Sequence, residues 1–346
     1  MMARRTTKTF SKARIYGHAV GRIMVHEATL LTWQQVDRLI ESDFEEALRV
    51  LLETVYGSYL EGAKVARDIE RGLHEFLVNE YRFLDEICAG TLVADFMHSK
   101  YDFHNLRVVL KEHYFGDFPD ELISDLGTVD EERLRKSLEE GEYVKPPEFV
   151  EAVVDKVKAL GEALEPQAVD TVIDRAFLER RLEIAEAEKS DMLIDFCRAA
   201  IDVANCKILL RGRNLEKETG YYELALAEGG KLSRKTILEL AGAPYEQLTA
   251  KLLDTRYGRM LSGALETGGG KVRLTSLDRA TDEYLLDNVQ GFSKVSVGPE
   301  RIVRFMLTRE NEVSMLRIIF MGKLHLLSPE TIENRLPVTY MKTVSR

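Results

Sequence analysis

Proline is scarce and arrives late: the 346-residue chain holds 8, the first at Pro119, so the opening third lacks the residue least compatible with a helix interior. Long helices are permitted there. Cysteine is scarcer still. Cys88, Cys197 and Cys206 form no CxxC pair, and an odd count of 3 without a framework predicts reduced thiols packed as small hydrophobes. No apolar run reaches the ~20 residues a bilayer requires. The longest, Met315 to Leu327, is broken by Arg317, Lys323 and His325, so no membrane span is expected. The basic opening MMARRTTKTFSKAR is not followed by an apolar region with a cleavage site, so the chain is expected to stay in the cytoplasm. Positive charge is also short. The 58 Asp and Glu outweigh 48 Lys and Arg, for a net charge of −10, and no basic stripe interleaved with aromatics occurs. Such a chain repels a phosphate backbone, and nucleic acid is not an expected partner.

Catalytic motifs are missing too. Gly230-Lys231 and Gly270-Lys271 resemble the end of a phosphate loop, but that loop needs glycine where Ala225 or Leu265 stands and a magnesium-binding hydroxyl where Leu232 or Val272 stands. His26-Glu27 and His74-Glu75 start like a zinc-protease helix, yet Leu30 and Val78 occupy the position of the second histidine. His98, His104 and His113 are not at one-turn ligand spacing. No cofactor and no metal are expected, and the histidines read as surface or hydrogen-bonded groups.

What the chain has is helical pattern. A hydrophobic content of 45% with 31% charged residues suits a folded protein with a sizeable core. Between Asp191 and Arg211, Leu193, Cys197, Ala200, Ala204 and Ile208 recur at three-and-four spacing and make one apolar helix face. Phe96 to Lys111 and Arg301 to Lys323 read the same way, and a further helix is expected over Phe10 to Leu30. Breaks gather at Tyr114 to Pro119, Lys145-Pro146-Pro147, Glu228-Gly229-Gly230 and Thr267 to Gly270. Extended structure is plausible only at Lys271 to Thr275 and Lys294 to Val297.

The most informative feature is internal repetition. Leu31 to Leu60, LTWQQVDRLIESDFEEALRVLLETVYGSYL, aligns without a gap on Leu232 to Leu261, LSRKTILELAGAPYEQLTAKLLDTRYGRML, at an offset of 201. Each copy opens with leucine and a hydroxyl residue, Thr32 or Ser233, suited to cap a helix N-terminus. Leu327-Ser328-Pro329 opens alike, and Phe118 to Ile123 more weakly. Each copy also carries Tyr-Gly, Tyr56-Gly57 and Tyr257-Gly258, read as a helix end with glycine as a left-handed C-cap. Long helices precede three openings and carry polar residues in the same order: Asp102, Asn105 and Arg107; Asp202, Asn205 and Lys207; Glu312 and Arg317. The acids admit carboxylate chemistry or bonds between packed helices, and their triplication favours the second. The acidic run from Glu131 to Glu142 reads as a solvated helix face. The chain is therefore expected to be all-α, with three helical repeat domains over 1–117, 118–231 and 232–346.

These residues resemble the C subunits of the V-type (A-type) rotary ATPases, the counterparts of the d subunit of the vacuolar ATPase. The resemblance rests on Ala13-Arg14-Ile15 through Arg22-Ile23, Glu27 to Leu31, LLETVYG, Asp102 to Lys111, Asp202 to Arg211 and the stretch Glu312 to Leu336. It implies a funnel of three pseudo-repeated helical bundles, peripheral to the cytoplasmic face of a membrane. It further implies a non-catalytic socket between the central-stalk subunits and the membrane rotor ring of proteolipid. Arg14, Arg22, Thr32, Ser233 and Ser328 are the candidate partner contacts. The rival reading is a free-standing helical-repeat scaffold or adaptor.

Overall fold

A computed structural model describes residues 12–116, 122–138, 146–265 and 272–336. Among them the chain forms α-helices, short 3-10 turns and no β-strand, so the fold is all-α. The chain divides into two compact units, residues 1–94 with 290–346, and residues 95–289.

The first unit begins with α1 (Lys12–Glu27), α2 (Trp33–Glu41), α3 (Phe44–Leu52), α4 (Gly57–Leu60) and α5 (Ala66–Ile87). Thr32 starts α2 with a capping box: its hydroxyl accepts from Gln35 N at 3.3 Å while the Gln35 side chain accepts from Thr32 N at 2.8 Å. Asp43 caps α3 by accepting from Glu46 N. α5 buries Ile69, Leu73, Phe76, Leu77, Tyr81 and Leu84, a stripe at helical spacing, and its 22 residues span roughly 33 Å at about 1.5 Å per residue.

The second unit holds α6 (Val93–Phe115, entering at its first turn), α7 (Glu131–Lys136), α8 (Glu148–Lys158), α9 (Pro166–Glu188), α10 (Asp191–Asn214), α11 (Thr219–Ala225), α12 (Arg234–Ala241), α13 (Tyr245–Leu253), α14 (Gly258–Leu265) and α15 (Leu274–Gly291). It has two apolar centres. In one, Phe103, Leu106 and Leu110 of α6 meet Val150, Val153 and Val157 of α8 and Val169 and Ile173 of α9. In the other, Cys206, Leu209 and Leu210 of α10 meet Ile237, Leu248, Leu252, Leu261 and Leu277. Each fully buried leucine stabilises by about 1.5–3 kcal/mol. The chain then returns to the first unit as α16 (Pro299–Leu324) and α17 (Pro329–Arg335). There α16 packs on α5, α1 and α3, so both ends of the sequence build one core.

The long helices expected over Phe96 to Lys111, Asp191 to Arg211 and Arg301 to Lys323 are α6, α10 and α16, each longer than the sequence pattern indicated. Each is followed by a left-handed residue fourteen positions after its acid: Gly116 (φ 103), Glu216 (φ 53) and Leu326 (φ 55). For α10 and α16 the exit is a Schellman-type turn, with Lys217 N donating to Gly212 O and Leu327 N to Gly322 O, both at 2.9 Å.

Three local expectations change. Leu274-Thr275 begin α15, where the apolar residues serve a helix face rather than an alternating strand, and Lys294 closes a 3-10 turn while Val295 beyond it is extended (φ −88, ψ 120). Gly57 and Gly258 begin α4 and α14 with no positive φ and are not left-handed caps. A Cβ there would stand 2.2 Å from Leu52 O or 2.0 Å from Leu253 O, so glycine is required by close backbone approach. The weak opening at Phe118, the loop Thr267 to Gly270 and the end of the Glu131 to Glu142 run fall at least partly outside the described residues.

Candidate functional site

The polar residues of the long helices are where this chain places its buried charge. Asp202 is fully buried. Its Oδ2 accepts from Lys231 N at 2.9 Å and from the Tyr257 hydroxyl at 2.5 Å, and its Oδ1 accepts from Leu232 N at 2.9 Å. One turn on, Asn205 clasps a single residue: Oδ1 accepts from Ala227 N and Nδ2 donates to Ala227 O, both at 2.9 Å. The loop between α11 and α12 is thus held by its own backbone, and its unpaired amides are satisfied away from water. Gly230 permits this approach, since a Cβ would lie 2.1 Å from Asp202 Oδ1.

In α6 the arrangement recurs. Asp102 Oδ1 accepts from Thr128 N at 2.6 Å and Val129 N at 3.1 Å, and Oδ2 accepts from the Thr128 hydroxyl at 2.9 Å. Asn105 clasps Ser124 through both its amide groups at 2.7 and 2.8 Å. The clasped pair leads directly to Asp130, whose side chain caps α7. The middle counterpart of Leu31-Thr32 and Leu232-Ser233 is therefore Val129-Asp130, eleven residues beyond the weak opening proposed at Phe118.

Glu312 of α16 does the work of Asp202 for the other copy. Its Oε2 accepts from Leu31 N at 2.8 Å, and its Oε1 accepts from the Tyr56 hydroxyl. Leu31 and Tyr56 stand 201 residues before Leu232 and Tyr257, so the sequence offset is also an offset of hydrogen bonds. Glu312 serves the opening at Leu31, not the one at Leu327 that follows it in sequence. No asparagine follows it by three; Met315 stands there. Arg309, one turn earlier and fully buried, takes the vacant role. It donates to Glu312 at 2.7 Å, to Thr29 Oγ1 at 2.8 Å, to Glu80 at 3.3 Å and to His26 O at 3.3 Å. His26 Nδ1 lies 3.3 Å from Glu80, and its ring stacks on Phe83.

Burial pushes the Asp202 and Glu312 carboxyls upward; the Tyr257 hydroxyl and two amides oppose it at Asp202, and Arg309 opposes it at Glu312. Tyr56 and Tyr257 are raised by burial and by the carboxylates they donate to. Burial also lifts the Cys197 thiol to about 11 and Cys206 to about 12, which keeps both unreactive. The oxygens of both acids, Asp202 and Glu312, are occupied by backbone amides and by side-chain donors.

The cations five residues after each acid reach a second long helix. Arg107 pairs with Asp170 and Asp174 of α9, Lys207 pairs with Asp278 of α15 at 2.9 Å, and Arg317 holds Glu70 of α5 with two nitrogens. These pairs are partly exposed, and each contributes at most about 1 kcal/mol. Sequence reasoning singled out the cations and missed the acids, which lie 63 to 247 residues away. It also missed Arg309 and Lys323. Lys323 Nζ donates to Ile40 O at 2.9 Å and to Ser42 O, and ties α16 to the turn between α2 and α3.

The candidate contact residues sit elsewhere. Thr32, Ser233 and Ser328 are exposed, and each hydroxyl caps its helix. Arg22 pairs with Glu86 at 2.5 Å above the Phe83 ring. Arg14 lines a crevice of about 340 Å³ with His18 and Glu86. No helix among the described residues is long and apolar enough to cross a membrane.

Fold and clasps define an all-α protein that repeats one way of anchoring a chain turn on a long helix. Comparison with known proteins makes this specific: the chain belongs to the ATP synthase (C/AC39) subunit family, whose model matches residues 19–335. Similar proteins include the C subunit of the V-type sodium ATPase of Enterococcus hirae, 24% identical over 91% of this chain and 95% of that protein. The C subunit of the A-type ATP synthase of Haloferax volcanii is 27% identical over 93% and 97%. Its namesake from Methanocaldococcus jannaschii is 25% identical over 93% and 86%.

Proposed function

We propose that this chain is a non-catalytic subunit of a V/A-type rotary ATPase. It acts as a socket that couples the central-stalk subunits to the proteolipid rotor ring, and it transmits torque during ATP-driven ion transport or ATP synthesis. The observation that carries the reading is the family match across residues 19–335, in a chain whose buried acids are committed to holding backbone in place. A part that passes torque must not deform, and fully satisfied buried polar networks rigidify what they join. Asp102, Asn105, Asp202, Asn205 and Glu312 are structural locks in this account, with Arg107, Lys207 and Arg317 as lateral ties. The threefold division at 1–117, 118–231 and 232–346 belongs to the same proposal. So do the position on the cytoplasmic face of the membrane and partner contact at Arg14, Arg22, Thr32, Ser233 and Ser328.

The test is a tagged copy expressed in its own host and purified from gently solubilised membranes. The proteolipid and the central-stalk subunits are expected to accompany it. Recovery of the chain alone, or with soluble partners only, would establish the adaptor reading instead. Metal-dependent hydrolytic turnover lost in Asp102→Ala would overturn the non-catalytic assignment.

A further inference from the structure

One face of α1 is turned to solvent. Tyr16, Ala19, Val20 and Ile23 are buried on the side packed against α5 and α16, while Arg14, Gly17, His18, Gly21, Met24 and Val25 are exposed. These six recur at three-and-four spacing and so share one face. Two large apolar side chains are left in water there: Met24 is 58% and Val25 69% exposed. Between them and Arg14 the surface is bare. A Cβ added at Gly17 or Gly21 would meet no atom within 4 Å, so packing inside the chain requires neither glycine. Each costs the helix about 1 kcal/mol relative to alanine. Residues four apart form the ridges of a helix, and the row Ala13, Gly17, Gly21 leaves a groove where a ridge would stand.

Charge sets the same face apart. The first 26 residues hold 6 Lys and Arg and no Asp or Glu, which leaves 42 Lys and Arg against 58 Asp and Glu in the other 320. The sole acid of α1, Glu27, is turned toward α16, where Arg301 holds it at 2.7 Å and Arg304 at 3.3 Å. Beside the groove lies a crevice of about 340 Å³ between α1 and the end of α5, walled by Ile15, Ile87 and Ala89 and edged by Arg14 and His18. The one acid that lines it, Glu86, is paired with Arg22 at 2.5 Å.

We propose that this face of α1 is the docking site of an acidic α-helix of another polypeptide. A ridge of that helix enters the groove at Gly17 and Gly21, its apolar side chains cover Met24 and Val25, and its carboxylates face Lys12 and Arg14. Charge complementarity gives the sign: in a chain of net charge −10, this stretch attracts acids where the rest repels them. The bare row gives the shape, since small residues at four-residue spacing permit two helices to approach closely. A lipid surface has no ridge to fill such a groove. The inference extends the contact proposed at Arg14, and it holds for a rotary-ATPase subunit and for an adaptor alike.

The experiment uses the full tagged chain in its own host, with p-benzoylphenylalanine in place of the exposed Met24, irradiated in cells and read by mass spectrometry of the cross-linked peptides. A cross-link is expected to a helical segment of another polypeptide in which Asp and Glu outnumber Lys and Arg. Gly17→Leu with Gly21→Leu fills the groove and is expected to lower the cross-link yield about tenfold. The same purified variant should unfold at no lower temperature than the parent, because leucine is the better helix former and both positions are open. A cross-link to lipid alone, to a second copy of this chain or to a basic segment, no cross-link, a yield unaltered by the two leucines, or a lowered unfolding midpoint would each overturn the proposal. Recovery of the proteolipid and central-stalk subunits without a cross-link at position 24 would sink this inference alone and leave the socket reading standing.

Discussion

Asp202 shows what a single buried carboxylate can hold. Three donors converge on it, two of them backbone amides from one turn and one a phenol from another helix junction. Removing the carboxylate strands all three in a region the residue itself keeps dry. An unsatisfied buried donor costs about 1–3 kcal/mol, so Asp202→Ala is expected to destabilise the chain by about 3 kcal/mol or more in urea unfolding. Tyr257→Phe strands nothing, because two amides still satisfy the acid, and its cost is about 1–2 kcal/mol. In the double variant the two losses should fall short of additivity, since both act on one bond. Additive losses would mean that the phenol and the acid are energetically separate. The polar order along the long helices was legible in sequence because Asp102, Asn105, Asp202 and Asn205 fall at fixed positions beside apolar stripes. Their partners were not legible. Leu31 N meets Glu312 across 281 residues, and nothing local marks the buried Arg309 among surface arginines of equal spacing.

At the level of elements, the joints carry the information that periodicity misses. The period of α3 and α13 reveals two helices, but the abrupt restart at Gly57 and Gly258 depends on a contact with Leu52 O or Leu253 O. Gly258→Ala is expected to cost about 2–3 kcal/mol through overpacking against the backbone, with no change in helix content at low temperature. A thermal midpoint equal to that of the parent would refute the close approach. A second joint is set by Lys323, which is buried and whose ammonium burial pulls below its ordinary value of 10.5. Its folded pKa is depressed, so the unfolded chain binds more protons between the two values and stability rises with pH across that interval. Measured against Lys323→Met, the parent should gain stability as pH climbs toward 10.5 and lose that gain as pH falls through the folded value. A pH-independent difference between the two proteins would show that Lys323 is not desolvated. The helices themselves were readable, since caps such as Thr32, Ser233 and Ser328 announce each start. Extended structure was plausible over Lys271 to Thr275, yet α15 begins at Leu274, because a short apolar run carries no period of its own.

For the whole chain, the consequence of the repeat is that one unit must be closed by the far end of the sequence. Residues 95–289 form a continuous stretch with both apolar centres and the clasps of Asp102 and Asp202 inside it. Residues 1–94 have no such independence. The amide of Leu31, the hydroxyls of Tyr56 and Thr29 and the carboxylate of Glu80 all look to Arg309 or Glu312 on α16, and Lys323 caps the turn after α2. The fragment 95–289 is therefore expected to fold cooperatively alone, with a sigmoidal melt by circular dichroism. The fragment 1–94 should remain largely unfolded, because loss of α16 leaves its apolar stripe on α5 uncovered and several polar groups unpaired. Adding a 290–346 peptide should restore helix to the 1–94 fragment at a one-to-one ratio, and Glu312→Ala in that peptide should abolish the effect. If 1–94 melts cooperatively without the peptide, the terminal helices are accessories and the two ends of the chain are not one folding unit.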